Sequence, residues 1–197
     1  AVLFSNKVWE IYTAFSNELK PLYEPIDRGN RLYFAGRREQ NPSKPMPSDA
    51  NSTMRMSYGT IKGYSPADAV EYDYFTTSRG ILEKNNPEST EFNVFPSFLE
   101  LIKKGDWGRW ADKKDGRLHV AFISTNDITG GNSGSPVFDK NGRVFGLAFD
   151  GNWEAMSGDI EFEPNLQRTI VVDIRYVLFT IDKWGKCSRL IDEMTIK

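Results

Sequence analysis

The sequence predicts a mainly β fold with flanking helices. Three observations predict it: short apolar segments fill the second half, an Asn-Gly pair separates two of them, and helical spacing opens and closes the chain. Over residues 2–19, Phe4, Val8, Ile11, Phe15 and Leu19 recur at three- and four-residue steps, one stripe of a helix. Pro21 is expected to end that helix, because proline lacks an amide proton and clashes with the preceding turn. A second short helix is expected over 27–38, then a linker over 41–52 carrying Pro42, Pro45 and Pro47. The composition changes there, dividing the chain into a helical part (1–40) and a β-rich part with a closing helix (41–197).

Each later element has its own reason. Met54, Met56 and Tyr58 alternate with polar neighbours, as a half-buried strand does. Residues 70–76 read as another strand and 95–103 as a short helix. In 117–124, Leu118, Val120 and Phe122 lie on one face and His119, Ala121 and Ile123 on the other, both largely apolar, which suits a buried strand. Residues 135–138 and 143–149 form a hairpin around Asp139-Lys140-Asn141-Gly142, with Asn141 and Gly142 as its two turn residues. A strand over 169–172 and a helix over 174–184 close the pattern.

Bulk properties exclude several classes. A chain of 197 residues buries a real core and fits one domain or slightly more. The net charge is −2 without a basic block, which argues against a nucleic-acid-binding face. No apolar run reaches the ~18 residues that a membrane-spanning helix needs. Cys187 and His119 are the only residues of their kinds, so neither an internal disulfide nor a Cys/His zinc cluster can be assembled, and no metal or organic cofactor is expected. Cys187 reads as a small, half-buried structural residue near a helix. The chain opens Ala1-Val2-Leu3, without Met and already inside an amphipathic pattern, and is expected to be a fragment of a longer polypeptide.

The chemistry concentrates in Thr129-Gly130-Gly131-Asn132-Ser133-Gly134-Ser135-Pro136-Val137. A nucleophilic serine must project from a tight turn, with backbone amides aimed at the oxyanion that forms on attack. Glycines on both sides allow that turn, which makes Ser133 the candidate nucleophile and the N–H groups of Gly131 and Ser133 the oxyanion donors. A polar Gly/Ser loop without chemistry fits the same stretch. Counting outward from the hairpin turn places Ser133 opposite Asp150, give or take a bulge, so Asp150-Gly151 is expected beside the nucleophile.

His119 is rejected as general base. At ~3.3 Å per residue, the strand from His119 to Ser124 carries it more than ~10 Å from the loop end, and a base must reach hydrogen-bond distance. The base and its acid are then missing from this sequence. Asp127, six residues before Ser133, stands where a trypsin-like enzyme holds its base-binding carboxylate, but the cap of an Asx turn is the favoured reading.

The run Thr125-Asn126-Asp127-Ile128-Thr129-Gly130-Gly131-Asn132-Ser133-Gly134-Ser135-Pro136, followed by Gly146-Leu147-Ala148-Phe149-Asp150-Gly151-Asn152-Trp153-Glu154, closely resembles the bacterial dipeptidyl-peptidase 7 and 11 family of serine peptidases. Asn51-Ser52-Thr53-Met54-Arg55-Met56-Ser57-Tyr58-Gly59 and residues 168–176 resemble it too. The resemblance implies the second, C-terminal barrel of a double chymotrypsin-like β-barrel, preceded by the end of an inserted helical domain. Ser133 would be the nucleophile, and Asp150 would help hold the free α-amino group of a peptide substrate. Family members with Arg at the next position favour acidic P1 side chains and those with Gly apolar ones. Gly151 thus places this chain on the dipeptidyl-peptidase 7 side, with Phe149 and Ile128 as apolar walls. The remainder of the parent chain would supply the triad His and Asp, so the fragment is expected to be inactive alone. A periplasmic or secreted location follows by the same resemblance, and a homodimer of the parent is left open. The rivals are a trypsin-like endopeptidase using Asp127 and a non-catalytic binding module.

Overall fold

The structure is a computed structural model and describes residues 2–44, 46, 52–158 and 161–197. It divides into two units, Ala1–Ser48 and Asp49–Lys197. The first is one helix, α1 (Val2–Gln40), in place of the two expected. Pro21 does not end it, and Pro25 lies inside it as well. Each proline removes a single hydrogen bond, to the carbonyls of Asn17 and Pro21, and no α1 residue is buried, so solvent reaches those carbonyls. The stripe from Phe4 to Phe15 is exposed. The linker expected over 41–52 lies in part outside the described residues, as does Asn51 at the head of one motif.

The second unit holds the strands: β1 (Tyr64–Ala67), β2 (Val70–Tyr72), β3 (Phe75–Thr77), β4 (His119–Ser124), β5 (Pro136–Phe138), β6 (Val144–Gly151) and β7 (Thr169–Asp173). The fold is mixed helix and sheet and not mainly β, because α1 alone outnumbers the residues of all these strands together. β1 and β2 form a two-stranded hairpin, and the remaining five make an antiparallel sheet in the order β3-β4-β7-β6-β5. The strand expected over 70–76 is thus two strands in different sheets, parted at Asp73-Tyr74. Met54, Met56 and Tyr58 do not form a strand; all three are exposed, and the chain meets the sheet only from Thr60. There Thr125 N donates to Thr60 O (2.9 Å) and Ile61 bridges Ser124.

The β5–β6 hairpin turns on three residues, not on Asn141-Gly142 alone. Asp139 N donates to Arg143 O and Gly142 N to Asp139 O, both at 2.9 Å. Gly142 is left-handed (φ 75°) while Asn141 is not, so the loop is a type I turn with a glycine bulge. The Asp139 carboxylate accepts from Asn141 N and Arg143 N and selects this turn over the mirror-image one. A register shift between Val137 and Phe138 restores the expected pairing, Pro136 with Leu147 and Val137 with Gly146.

Helices α2 (Ser78–Lys84), α3 (Pro96–Lys104), α4 (Ile174–Phe179) and α5 (Ser188–Asp192) surround the main core. Phe98 and Ile102 of α3 meet Leu178 and Phe179 of α4, with Trp110, Leu118 and Ile191. The Asp173 carboxylate ends β7 and caps α4 by accepting from Arg175 N (2.9 Å). The expected helix over 174–184 is α4 followed by one wide turn, Thr180–Trp184. Cys187 is exposed ahead of α5, not half-buried, because it stands in the loop before the helix and not on its packed face. Among the described residues no helix is long and apolar enough to cross a membrane.

Nearer the serine loop, Phe122, Ala148 and Val171 are buried, with Phe145 stacked on Phe122 (5.1 Å between ring centroids). Gly146 lets β6 lie against this cluster. A Cβ there would collide with Val171 and come within 2.9 Å of Phe122 Cε1 and of the Val172 carbonyl. Gly146→Ala is expected to destabilise the fold by about 2–3 kcal/mol through overpacking. Urea unfolding would read this, and a loss under about 0.5 kcal/mol would show that the sheet gives way freely.

Candidate active site

The serine loop is built from its own turns. Asn132 N donates to Thr129 O (3.1 Å), Thr129 N to Asn132 Oδ1 (3.2 Å) and Ser135 N to Asn132 O (2.9 Å). Gly134 N to Ala148 O (2.7 Å) and Ala148 N to Ser135 O (2.9 Å) tie the loop to β6. Gly131 (φ 97°) and Gly134 (φ 82°) are both left-handed and bracket Ser133, which leaves the Ser133 side chain exposed. Its Oγ lies 3.4 Å from Phe149 O. Among the described residues the N–H groups of Gly131 and Ser133 meet no acceptor.

Ser133 opens onto a cavity of about 290 Å³, walled by residues 126–130, 149–152 and 167–169, with Ala155, Met156, Gly158 and Phe162. Ile128, Phe149, Asp150 and Gly151 line it together, as does Asp127. Gly131 instead lines a second, larger cavity of about 760 Å³. The ladder between β6 and β7 slips at Phe149, between Ala148–Val171 and Asp150–Ile170. This bulge turns the Phe149 carbonyl toward Ser133, a re-aiming that strand alternation alone would not produce.

The Asp150 carboxylate is exposed, accepts from Gly151 N (2.8 Å), and ion-pairs with no cation among the described residues. A carboxylate with one oxygen free beside a nucleophile suits an incoming ammonium group. A Cβ on Gly151 would meet Ala155 Cβ at 3.0 Å, so glycine keeps this wall open.

Arg168 and Asn152, which sequence reasoning did not single out, pin the third wall. Arg168 is 2% exposed, and its five N–H donors go to the carbonyls of Lys62, Gly63, Pro164, Asn165 and Gln167. Burial lowers its affinity for the proton relative to a free arginine. Asn152 Oδ1 accepts from Arg168 N, while its Nδ2 reaches Leu166 O and Glu154 Oε2, each at 2.8 Å. A motif reading sees these residues only as members of a similar run, because five carbonyls converging on one side chain arise from folding.

His119 is elsewhere. It is buried, stacked on Phe75 at 4.1 Å, and its Nε2 pairs with Asp115 Oδ2 at 2.9 Å. Arg175 joins Asp112 and Asp173 beside it, each at 2.6 Å. The bond from Arg175 holds the Asp112 carboxyl below its usual range, and the bond from His119 does the same for Asp115. Asp112, Asp115 and His119 offer ligand atoms within 4.8 Å of one another, but these groups are already spent on Arg175, Arg117 and each other.

A serine between left-handed glycines, two neighbouring amides without acceptors and a carboxylate lining the same pocket as the serine define a peptidase-like nucleophile site. The chain belongs to the peptidase S46 family, which residues 1–196 match. It is similar to dipeptidyl-peptidase 7 of Porphyromonas gingivalis, 66% identical over 171 residues, which cover 87% of this chain and 24% of that protein. The Asp/Glu-specific dipeptidyl-peptidase of the same organism is 49% identical over 195 residues, 99% of this chain and 27% of the relative. Among solved structures, Porphyromonas endodontalis DPP11 in complex with the dipeptide Arg-Asp superposes with a TM-score of 0.79 at 44% identity, covering 88% of this chain and 25% of that one. The chain spans about a quarter of the length of the relatives it matches.

Proposed function

We propose that this chain is the nucleophile-bearing part of a serine peptidase that releases dipeptides from free peptide N-termini. The observation that carries the reading is that Ser133 and Asp150 wall one pocket. Ser133 Oγ attacks the scissile carbonyl carbon, and its proton passes to a histidine base supplied, with the triad Asp, by the remainder of the parent chain. The carbonyl oxygen becomes the oxyanion and takes hydrogen bonds from the N–H groups of Gly131 and Ser133. Collapse expels the amine of the shortened peptide, which takes the proton, and leaves the dipeptide as an ester on Ser133; water then releases it. Asp150 holds the substrate α-ammonium and so sets the cut two residues from the N-terminus. In this reading residues 41–197 form the second barrel of a chymotrypsin-like double barrel and 1–40 the end of a helical domain. A periplasmic or secreted location belongs to the same proposal.

The pocket favours an apolar P1 side chain in this reading, although some relatives carry the name Asp/Glu-specific. An acidic P1 would need a cation with free donors, and Arg168, the one Lys or Arg among the described lining residues, has all five of its donors occupied by carbonyls. Gly151 leaves the wall open beside Phe149 and Ile128. The test is release from Leu-Met and Leu-Asp fluorogenic dipeptides by the full-length peptidase, with Ser133 labelled by a fluorophosphonate. Faster release from Leu-Asp would overturn the apolar preference, and no release from either would overturn the dipeptidyl-peptidase reading. Gly151→Arg is expected to cut release from Leu-Met by about a hundredfold, since an unpaired cation would face an apolar side chain, and to raise release from Leu-Asp. Unchanged selectivity would show that this wall does not touch P1.

A second reading, a trypsin-like endopeptidase, draws on the presence of Asp127 in the pocket. Substrates with Lys or Arg at P1 and a blocked N-terminus separate the two.

A further inference from the structure

We infer that Arg55 is a positioning residue that sets the oxyanion hole by holding the Gly130–Gly131 peptide in one of its two orientations; this rests on the reading of Ser133 as nucleophile. Its Nη2 lies 3.4 Å from both the Gly130 carbonyl oxygen and Asn132 Oδ1, across 75 and 77 residues of sequence. Among the described residues Arg55 pairs with no carboxylate. Both hydrogen bonds of its guanidinium go to the serine loop.

The peptide between Gly130 and Gly131 is trans, so its C=O and N–H point in opposite directions. Anchoring the Gly130 oxygen therefore aims the Gly131 N–H the other way. Arg55 and Gly131 line the 760 Å³ cavity, while Gly130 and Ser133 line the 290 Å³ pocket, so the loop is the partition between them. With the carbonyl held toward Arg55, the N–H is directed away from the Arg55 side. Rotation of this peptide would withdraw one of the two oxyanion donors and present a carbonyl oxygen in its place.

Neither flanking residue has a Cβ to restrict that rotation, and a Cβ on Gly130 would meet nothing within 4 Å. Asn132 couples the same guanidinium to the turn, because its Oδ1 also accepts from Thr129 N. Arg55 touches no reacting atom. It acts through the peptide it orients.

The experiment compares the full-length wild type with Arg55→Ala on a dipeptidyl fluorogenic substrate, and measures affinity for a dipeptide boronic acid and for the product dipeptide. The boronic acid forms a tetrahedral adduct on Ser133 and needs the oxyanion hole; the product dipeptide does not. Loss of a whole oxyanion donor lowers kcat by roughly 10²–10³, and a shifted peptide equilibrium loses part of that, so kcat is expected to fall about 10- to 100-fold. Boronate affinity falls in parallel, while KM and product affinity stay within about twofold. Should Arg55→Ala unfold, Arg55→Met keeps the aliphatic stem and carries the same test. Unchanged kcat and boronate affinity would overturn the proposal, as would product affinity falling together with kcat. If the wild type labels at Ser133 without releasing dipeptides, the labelling rate carries the comparison. A wild type inert to both removes the nucleophile reading, and the role of Arg55 with it.

Discussion

Replacing Ser133 by alanine in the full-length peptidase is expected to lower kcat for dipeptide release by about a millionfold, whereas His119→Gln leaves it within about twofold. The first number reflects covalent catalysis. Without the hydroxyl, only substrate binding and the two loop amides remain, and such remnants still exceed uncatalysed hydrolysis by about 10³–10⁴. The second follows from where the only histidine stands. Its ring is buried against Phe75, one nitrogen is bound to Asp115, and the other faces Arg175. A group so enclosed can take no proton from an exposed hydroxyl on another loop. His119→Gln should therefore lower the unfolding midpoint and leave the turnover of folded enzyme intact. Loss of turnover comparable to Ser133→Ala, measured well below that midpoint, would show that the base lies within these residues after all.

Asp150→Asn is expected to lower kcat/KM for substrates with a free N-terminus by about 10- to 100-fold, equivalent to ~1.4–2.7 kcal/mol, the range of a hydrogen bond to a charged group. Asparagine keeps the size of the side chain and an oxygen for the Gly151 N–H, so the loss isolates the charge. N-acetylated substrates have no ammonium to place and should be nearly indifferent. The ratio of free to acetylated turnover is therefore the quantity to follow, and an unchanged ratio would remove Asp150 from substrate binding.

How much of this was legible in the sequence depended on the range of the interactions involved. The pairing of β5 with β6 could be counted from the turn because hairpin register is local. Even there the turn was a three-residue one, and the shift at Val137–Phe138 compensated it. Ser133, Asp150, Gly151, Phe149 and Ile128 were brought to one pocket because hairpin pairing and the loop before it carry them. Gly131 lines the second cavity and not this pocket, a separation that residue spacing does not encode. Pro21 misled because proline disfavours helix interiors by ~3 kcal/mol without forbidding them, and α1 runs on through both Pro21 and Pro25. Met54 to Tyr58 misled because alternation shows only what a strand would bury, and the sheet ladder takes hold no earlier than Thr60. Arg55 and Arg168 were invisible for a common reason: both act on backbone carbonyls remote in sequence, and a carbonyl has no residue identity to recognise.

The way Arg168 is held has a consequence for tolerance of the surroundings. Dissolved ions screen charge acting on charge over ~8–10 Å, but hardly touch a cation in direct contact with five carbonyl dipoles at 2% exposure. The pocket wall is thereby insulated from changes in ionic strength, while the contact proposed between a substrate ammonium and the exposed Asp150 carboxylate is not. In brine, selectivity for the side chain at P1 should persist as the grip on the substrate's amino terminus loosens.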